Sequence, residues 1–510
     1  MGNWLYKSLS ALQATNNVQR PSVTVRLAII GKPFESLIMS TKAFATLNKP
    51  VDVVVMAAGK GTRMRSQKPK VLQSLAGRAL LSHVLDTALG LGARDVVVIT
   101  GHQKERVQAF VSERAGVTCV VQEPQLGTGH AVMQALPTLK DDGVTLVLSG
   151  DVPLTQPDTL AALVRLCGGE QMALLTVNLP DPTGYGRILR DASQQVRAIR
   201  EEKDATPQER EVTEIYSGIM AVPTAWLRNA VSTLGNQNQQ GEYYLTDVVA
   251  RAVADGLAVQ AHCIANAWEV AGVNSPAQLA ELERVYQRNQ ADAHMQAGVR
   301  LADPARFDVR GALTCGEDVE IDVNCIFQGH VTLGDGVRVG ANCVIANATI
   351  AAGAVIHPFT HIDGEALGVS VGEGALIGPF ARLRPGATLG REVHIGNFVE
   401  VKNSTLADGA KANHLAYLGD AHVGERVNYG AGSITANYDG ANKHRTTIEA
   451  DVHVGSNCVL VAPVTLGAGG TIGGGSTITK STAPGALTVA RGKQVSIANW
   501  SRPSKKKPSN

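Results

Sequence analysis

From Val51 onward, short β-branched runs alternate with segments whose apolar positions recur at helical spacing. The first run, VDVVVMAA, is apolar almost throughout, the pattern of a strand buried on both faces of a parallel sheet. After a glycine loop, Leu80, Leu81, Val84, Leu85 and Ala88 repeat at helical spacing. DVVVIT, from Asp95 to Thr100, and TLVLSGD, ending at Asp151, read as further strands. This alternation predicts a mostly parallel sheet with helices on both faces, over residues 51–275. Leu279, Leu282, Val285 and Tyr286 share one face of a predicted linker helix within 276–300.

Beyond Asp318 the period changes to six. Val371, Ile377, Leu383, Leu389, Ile395 and Val401 fall six residues apart, as do Ile448, Val454, Leu460, Leu466, Ile472 and Ile478. Six is no helical period, and one aliphatic in six is too sparse for a two-layer sandwich. The pattern predicts a triangular solenoid over 301–495, each hexapeptide forming one side and pointing its aliphatic inward. The polar stretch Asn437–Arg445, NYDGANKHR, breaks the register and must project as a loop, where function collects.

Composition narrows the class. No apolar run approaches the ~18 residues of a membrane span, which excludes membrane insertion. A net charge of +2 leaves no footprint for nucleic acid, the basic tail 496–510 excepted. That tail reads either as a solvated end or as a patch that meets phosphates. Seven cysteines, an odd number without metal-ligand spacing or a secretory signal, point to reduced thiols in a cytoplasm. Residues 1–50 lack both patterns and carry one acidic residue, Glu35; they are either a disordered extension or an upstream mis-assigned start, with Met39 the true one.

The motif AAGKGTRM, Ala57 to Met64, follows its strand directly and is closed by Pro69-Lys70. Gly59 and Gly61 let the backbone approach a phosphate. Arg63 and Lys70 are placed to neutralise a triphosphate as charge moves to leaving pyrophosphate. The spacing is neither that of a Walker A loop nor that of a dinucleotide fingerprint.

G-x-G-T-R-M followed by P-K resembles the signature of sugar-phosphate nucleotidyltransferases. With QEPQLGTGHA, SGDVPL, DPTGYGRI, GEYYLTD, AGVN and the hexapeptide half, the chain resembles, over about residues 51–503, the bifunctional N-acetylglucosamine-1-phosphate uridyltransferases/glucosamine-1-phosphate acetyltransferases. The resemblance implies a Rossmann-like α/β nucleotidyltransferase followed by a left-handed parallel β-helix. It implies synthesis of UDP-N-acetylglucosamine, the precursor of peptidoglycan and lipopolysaccharide, from UTP and acetyl-CoA as co-substrates. It also implies a homotrimer through the β-helix, with acetyl sites at subunit boundaries.

Residue by residue, the resemblance implies that Gln122 and the Gly127 backbone read uracil above Ala57 and Ala58, and that Gly59, Arg63 and Lys70 serve the phosphates. Asp151 and Asn274 match the ligands of one Mg²⁺, for which a carboxylate, an amide oxygen and water are adequate. Thr128, Gly186 and Glu201 match residues that hold the sugar phosphate. Two departures stand beside them. Tyr216 replaces the usual Asn of that segment and offers a hydroxyl on a longer arm, and Ser149 stands where an aromatic is common.

For the rear half, an amine attacks a thioester only when neutral, so a base is needed. His414 matches the family's catalytic histidine, and Glu400 is placed to orient it. Arg384, Lys402, Tyr417 and Asn428 match groups for glucosamine phosphate. Asn437 and Tyr438 match groups that fix the amino sugar and the thioester. Ala431, Ser456, Gly474 and Arg491 match acetyl-CoA contacts, Ser456 as an oxyanion donor. Asn413 and Tyr429 depart from the usual glycine and aliphatic. The rival readings are a single nucleotidyltransferase with an oligomerising solenoid, and a non-enzymatic scaffold.

Overall fold

The computed structural model describes residues 49–503. The N-terminal extension up to residue 48 and the lysine-rich tip 504–510 lie outside the described residues.

The front half is a nine-stranded sheet. Its strands are β1 (Val51–Ala57), β2 (Asp95–Thr100), β3 (Val117–Val121), β4 (Val144–Ser149), β5 (Met172–Asn178), β6 (Arg187–Arg190), β7 (Val196–Arg200), β8 (Glu214–Pro223) and β9 (Val259–Ile264). The main order is β9-β5-β8-β4-β1-β2-β3, with the β6–β7 hairpin attached to β8. Pairing is parallel except for β8 and that hairpin.

Alternate residues of β1 serve two cores. Val51, Val53 and Val55 pack with Leu81, Val84 and Leu85 of the helix Leu80–Gly90. Val54 packs on the other side with Val132 and with Val248 of the helix Asp247–Ala254. Covering both faces explains why the strand is apolar at nearly every position. The exception, Asp52, is fully buried and paired with Arg94 through Nε and Nη2 at 2.8 and 2.6 Å. The chain leaves β1 towards β2 and β3, then returns to place β4 on the other flank, so the sheet's topological switch lies between β1 and β4. A ligand crevice belongs outside the carboxyl ends of those two strands.

The helix Pro276–Gln296, capped by Ser275, touches both halves. Glu283 accepts the Ala76 N–H at 2.7 Å, and Gln287 exchanges two hydrogen bonds with the Val309 backbone.

The rear half is a parallel β-helix, its coils paired in two long all-parallel sheets of 11 and 16 strands. Every inward aliphatic at six-residue spacing is at most 3% exposed. The register stacks Ile377 on Ile395, Ala412, Tyr429, Val454 and Ile472. The coil after Tyr429 is longer because residues 437–445 leave it, closing an antiparallel bridge between Tyr438 and Lys443. At one corner the backbone is left-handed coil after coil. Asn324 and Asn342 occupy it first, then Phe359, Phe380, Phe398 and Leu415 at φ 62°, 56°, 58° and 49°. Asn tolerates that region; Phe and Leu do so at a cost of about 1 kcal/mol each. The three rings stack on one another at 5.0 and 5.3 Å and are about half exposed.

Candidate functional sites

Ala57 and Ala58 run out of β1 beside Ser149-Gly150-Asp151 at the end of β4, Met56 pairing with Ser149. The loop then turns through Gly61, at φ 59°, where a Cβ would fall 2.8 Å from the Lys70 Cβ. Glycine is therefore what lets Lys70 close over the loop. The Lys70 ammonium reaches Asp151 Oδ2 and, at 3.2 Å, Asn274 Oδ1. The Val273 N–H donates to the Asp151 carbonyl at 3.0 Å, and Gln278 accepts the Asn274 N–H at 2.9 Å. A carboxylate and an amide oxygen are thus aimed at one positive charge. No group of three or more His, Cys, Asp or Glu is placed to hold a metal ion among the described residues. A metal here would rely on Asp151, Asn274, water and phosphate oxygens, a donor set for Mg²⁺ rather than Zn²⁺.

On the base side, Gln122 is buried and donates to the Gly127 carbonyl at 2.8 Å. Gly127, at φ 106°, would set a Cβ 2.7 Å from the Tyr243 carbonyl, so the helix Thr128–Ala135 starts hard against the GEYYLTD segment. Thr128 Oγ1 accepts the Leu245 N–H at 2.9 Å. Gln125, absent from the sequence reading, donates to the Ala58 carbonyl at 2.7 Å and ties this loop to the glycine loop.

Gly186, Glu201 and Tyr216 come together as well. The Tyr216 N–H donates to the Gly186 carbonyl at 2.9 Å, and a Cβ at Gly186 would lie 3.9 Å from the Glu201 carboxyl carbon. Burial pushes the Glu201 carboxyl up, with Asp247, Asp204 and Glu242 adding to it, while its hydrogen bond from Thr246 (2.8 Å) opposes. Tyr216 is not an arm reaching out of the strand. It lies in the core with its hydroxyl buried and without a partner among the described residues, its pKa raised by burial and then by Glu201. Tyr185 is a second residue the sequence reading passed over. Its pKa rises through burial and then the charge of Asp151, with Arg63 opposing, so it stands within the field of both. Ser149 borders a small apolar cavity with Val84, Val152 and Leu160.

In the β-helix, Asn397 and His414 are register partners one coil apart. Continuing the pairing through Asn428–His453–Thr471 sets Ala431, Ser456 and Gly474 on the same edge. Arg491 closes the line, its Nη1 donating to the Gly474 carbonyl at 2.7 Å. Small side chains above an exposed imidazole leave an open track. The edge continues one residue later into the Phe359–Leu415 ladder.

Glu400 does not hold His414. Its carboxylate binds Arg384 at 2.8 Å and Arg382 at 3.5 Å, because Glu400 lies three residues past Asn397, on the next face. Asn397 takes the expected place: its Oδ1 lies 2.9 Å from His414 Nδ1. On the face with Glu400, Lys402 has its pKa lowered chiefly by Arg384 and then by Lys443, a cation from the projecting loop that the sequence reading missed. Asn437 reaches Asp420 and Tyr417, whose phenol is pushed up by burial. A Cβ at Gly419 would fall 2.2 Å from the Tyr417 hydroxyl, so glycine is required beneath it. Tyr438 is exposed on the loop, its hydroxyl donating to the Gly440 carbonyl at 2.6 Å. Asn428 stands apart from Arg384, Lys402 and Tyr417, on the 11-stranded sheet across the edge with Lys411 and His453 as neighbours.

A glycine loop at the switch point of a parallel sheet, followed by a β-helix with its own polar edge, defines a two-domain transferase. Residues 53–212 match the MobA-like NTP transferase domain. Residues 314–347 and 368–403 match the bacterial transferase hexapeptide repeats, and 445–480 the hexapeptide repeat of succinyl-transferase. The chain is similar to "Bifunctional protein GlmU" of Polaromonas sp. (strain JS666 / ATCC BAA-500), 72% identical over 89% of this chain and 98% of the relative. The protein of the same name from Aromatoleum aromaticum is 56% identical over 90% and 99%. The chain belongs to the GlmU family of bifunctional proteins.

Proposed function

We propose that the two sites divide two successive reactions on one amino sugar. The chain is a bifunctional enzyme of UDP-N-acetylglucosamine synthesis. The rear domain acetylates glucosamine-1-phosphate from acetyl-CoA. The front domain then transfers uridylyl from UTP to N-acetylglucosamine-1-phosphate and releases pyrophosphate. The observation that favours this over a nucleotidyltransferase with a passive solenoid is the exposed His414 on an edge of small residues, in a domain of its own. The test is an assay that withholds one substrate at a time. Thiol release without UTP and pyrophosphate release without acetyl-CoA are expected; a missing half-reaction removes that activity from the reading.

In the front site, the Gln122 carbonyl oxygen and the Gly127 N–H read the uracil edge, and Gly59 lets the backbone meet the phosphates. Asp151 and Asn274 would hold Mg²⁺, which when bound neutralises phosphate charge. Arg63 and Lys70 take up the charge that grows on pyrophosphate as a sugar-phosphate oxygen bonds to the α-phosphorus and the bridging P–O bond breaks. Thr128, Gly186 and Glu201 hold the acetylated sugar.

The unpartnered Tyr216 hydroxyl gives a check. A buried hydroxyl without a partner costs about 1–3 kcal/mol. Tyr216→Phe is therefore expected to raise the melting temperature of the free enzyme and to leave KM for the sugar phosphate unchanged. A raised KM would return Tyr216 to sugar recognition.

In the rear site, His414 Nε2 takes a proton from the attacking amine as its nitrogen bonds to the thioester carbon. The C–S bond then breaks, and the leaving thiolate takes that proton from His414. Arg384, Lys402 and Lys443 face the sugar phosphate, and Ala431, Ser456, Gly474 and Arg491 line the acyl carrier.

The assembly is a homotrimer. The exposed phenylalanine ladder beside the His414 edge supports this, and so does the placement of Asn428 across that edge, from where it would serve a neighbouring copy's site. A double variant, Phe380→Asp with Phe398→Asp, is expected to give monomers by light scattering and to lose acetyl transfer. A trimer that persists would move the interface elsewhere. No helix of the described residues is long and apolar enough to cross a membrane, and all seven cysteines are free. With soluble substrates, these support a cytoplasmic enzyme.

A further inference from the structure

The His414 imidazole has two nitrogens, and catalysis as a base depends on which carries the proton. Asn397 and His414 sit on adjacent coils in register, with Asn397 Oδ1 2.9 Å from His414 Nδ1. An amide oxygen can only accept, so this arrangement calls for the hydrogen on Nδ1 and leaves Nε2 its lone pair. With the amide turned over, its NH₂ would donate to Nδ1, and Nε2 would hold the proton and be useless as a base. We propose that Asn397 is the positioning residue of His414, fixing the Nδ1–H tautomer and the ring direction with a neutral oxygen instead of a carboxylate. This rests on the reading of His414 as the acetyl-transfer base.

The surroundings fit a neutral partner. On the strand Lys411–His414 and its neighbours, the titratable groups are His394, Lys411 and His453, all three residues back towards the far end, and Tyr429, turned into the core. Round the corner lie Glu400, engaged by Arg384 and Arg382, and Tyr417, hydrogen-bonded to Asn437. The loop cations Lys443 and Arg445 and the Asp439–His444 pair belong to the projecting segment. The one hydrogen-bond partner of His414 Nδ1 among the described residues is the amide of Asn397.

The test uses the full-length chain with Asn397→Ala and Asn397→Asp. kcat and KM for acetyl transfer are measured across pH, and uridylyl transfer by the same samples reports folding. Asn397→Ala is expected to lower kcat on the order of 10- to 100-fold, part of what a placed base contributes, with KM for acetyl-CoA little changed. Asn397→Asp again presents an acceptor to Nδ1, so most of the rate returns. Its negative charge favours the imidazolium, so the acid limb of the pH profile moves to higher pH. Two results overturn the proposal: parental rates and profiles in both variants, or a loss in Asn397→Ala that Asn397→Asp neither restores nor shifts. Failure of the underlying reading looks different, because His414→Ala would then still transfer acetyl.

Discussion

Replacing His414 by alanine is expected to lower acetyl transfer on the order of 10²- to 10⁴-fold, the usual contribution of a placed general base. Uridylyl transfer by the same molecules stays within a few-fold. The asymmetry follows from the architecture. His414 is exposed at the end of a solenoid strand, outside the buried aliphatic column, so its removal leaves no cavity in the core. It also makes no hydrogen bond with any front-domain residue among the described residues. Thiol release and pyrophosphate release, measured separately on one preparation, decide the matter. Loss of both activities in a folded variant would overturn the two-site account.

The complementary change is Asp151→Asn, with an expected fall in uridylyl transfer on the order of 10²- to 10³-fold, comparable to losing one electrostatic contact to a transition state. The substitution keeps the side chain's volume and removes its charge. Asp151 is mostly buried beside Lys70, its side chain 16% exposed, so the lost charge is not replaced by solvent. Lys70 is left with Asn274 as its neutral partner, and a divalent cation loses its one anionic protein ligand. The Mg²⁺ requirement is accordingly expected to rise while acetyl transfer is unchanged. Parental uridylyl transfer would remove Asp151 from the site.

The placement of these two residues was legible in the sequence for different reasons. Asp151 ends an apolar strand, and a polar residue at the carboxyl end of a parallel strand is where such sheets bind ligands. His414 lies where the six-residue period loosens, and the inward positions on either side of it were fixed by that period alone. Side-chain partnerships were harder to see. Glu400 looked suitable for His414 because it is a carboxylate nearby in sequence, but three residues past the stacked position puts it on another face of the prism. Counting one coil of 17 residues back from His414 gives Asn397, so the signal was present in the spacing. Lys443 and Tyr185 left no such trace. One lies in a loop without period, and the other is brought to Asp151 by strands far apart in the chain. Tyr216 was visible as a departure, but its burial depends on the helix layer packed over β8, which no local pattern reveals.

The track from His414 through Ala431 and Ser456 to Gly474 advances one coil at a time. Adjacent strands are about 4.8 Å apart, so three steps span roughly 14 Å. The solenoid is in this sense a ruler graduated in coils. The distance between the base and the arginine that closes the track is set by how many turns separate them, not by any flexible joint. An acyl carrier lying there would be measured against that scale. Insertions are tolerated only where they leave the prism sideways, as residues 437–445 do; one inserted along its axis would lengthen the ruler by a whole graduation.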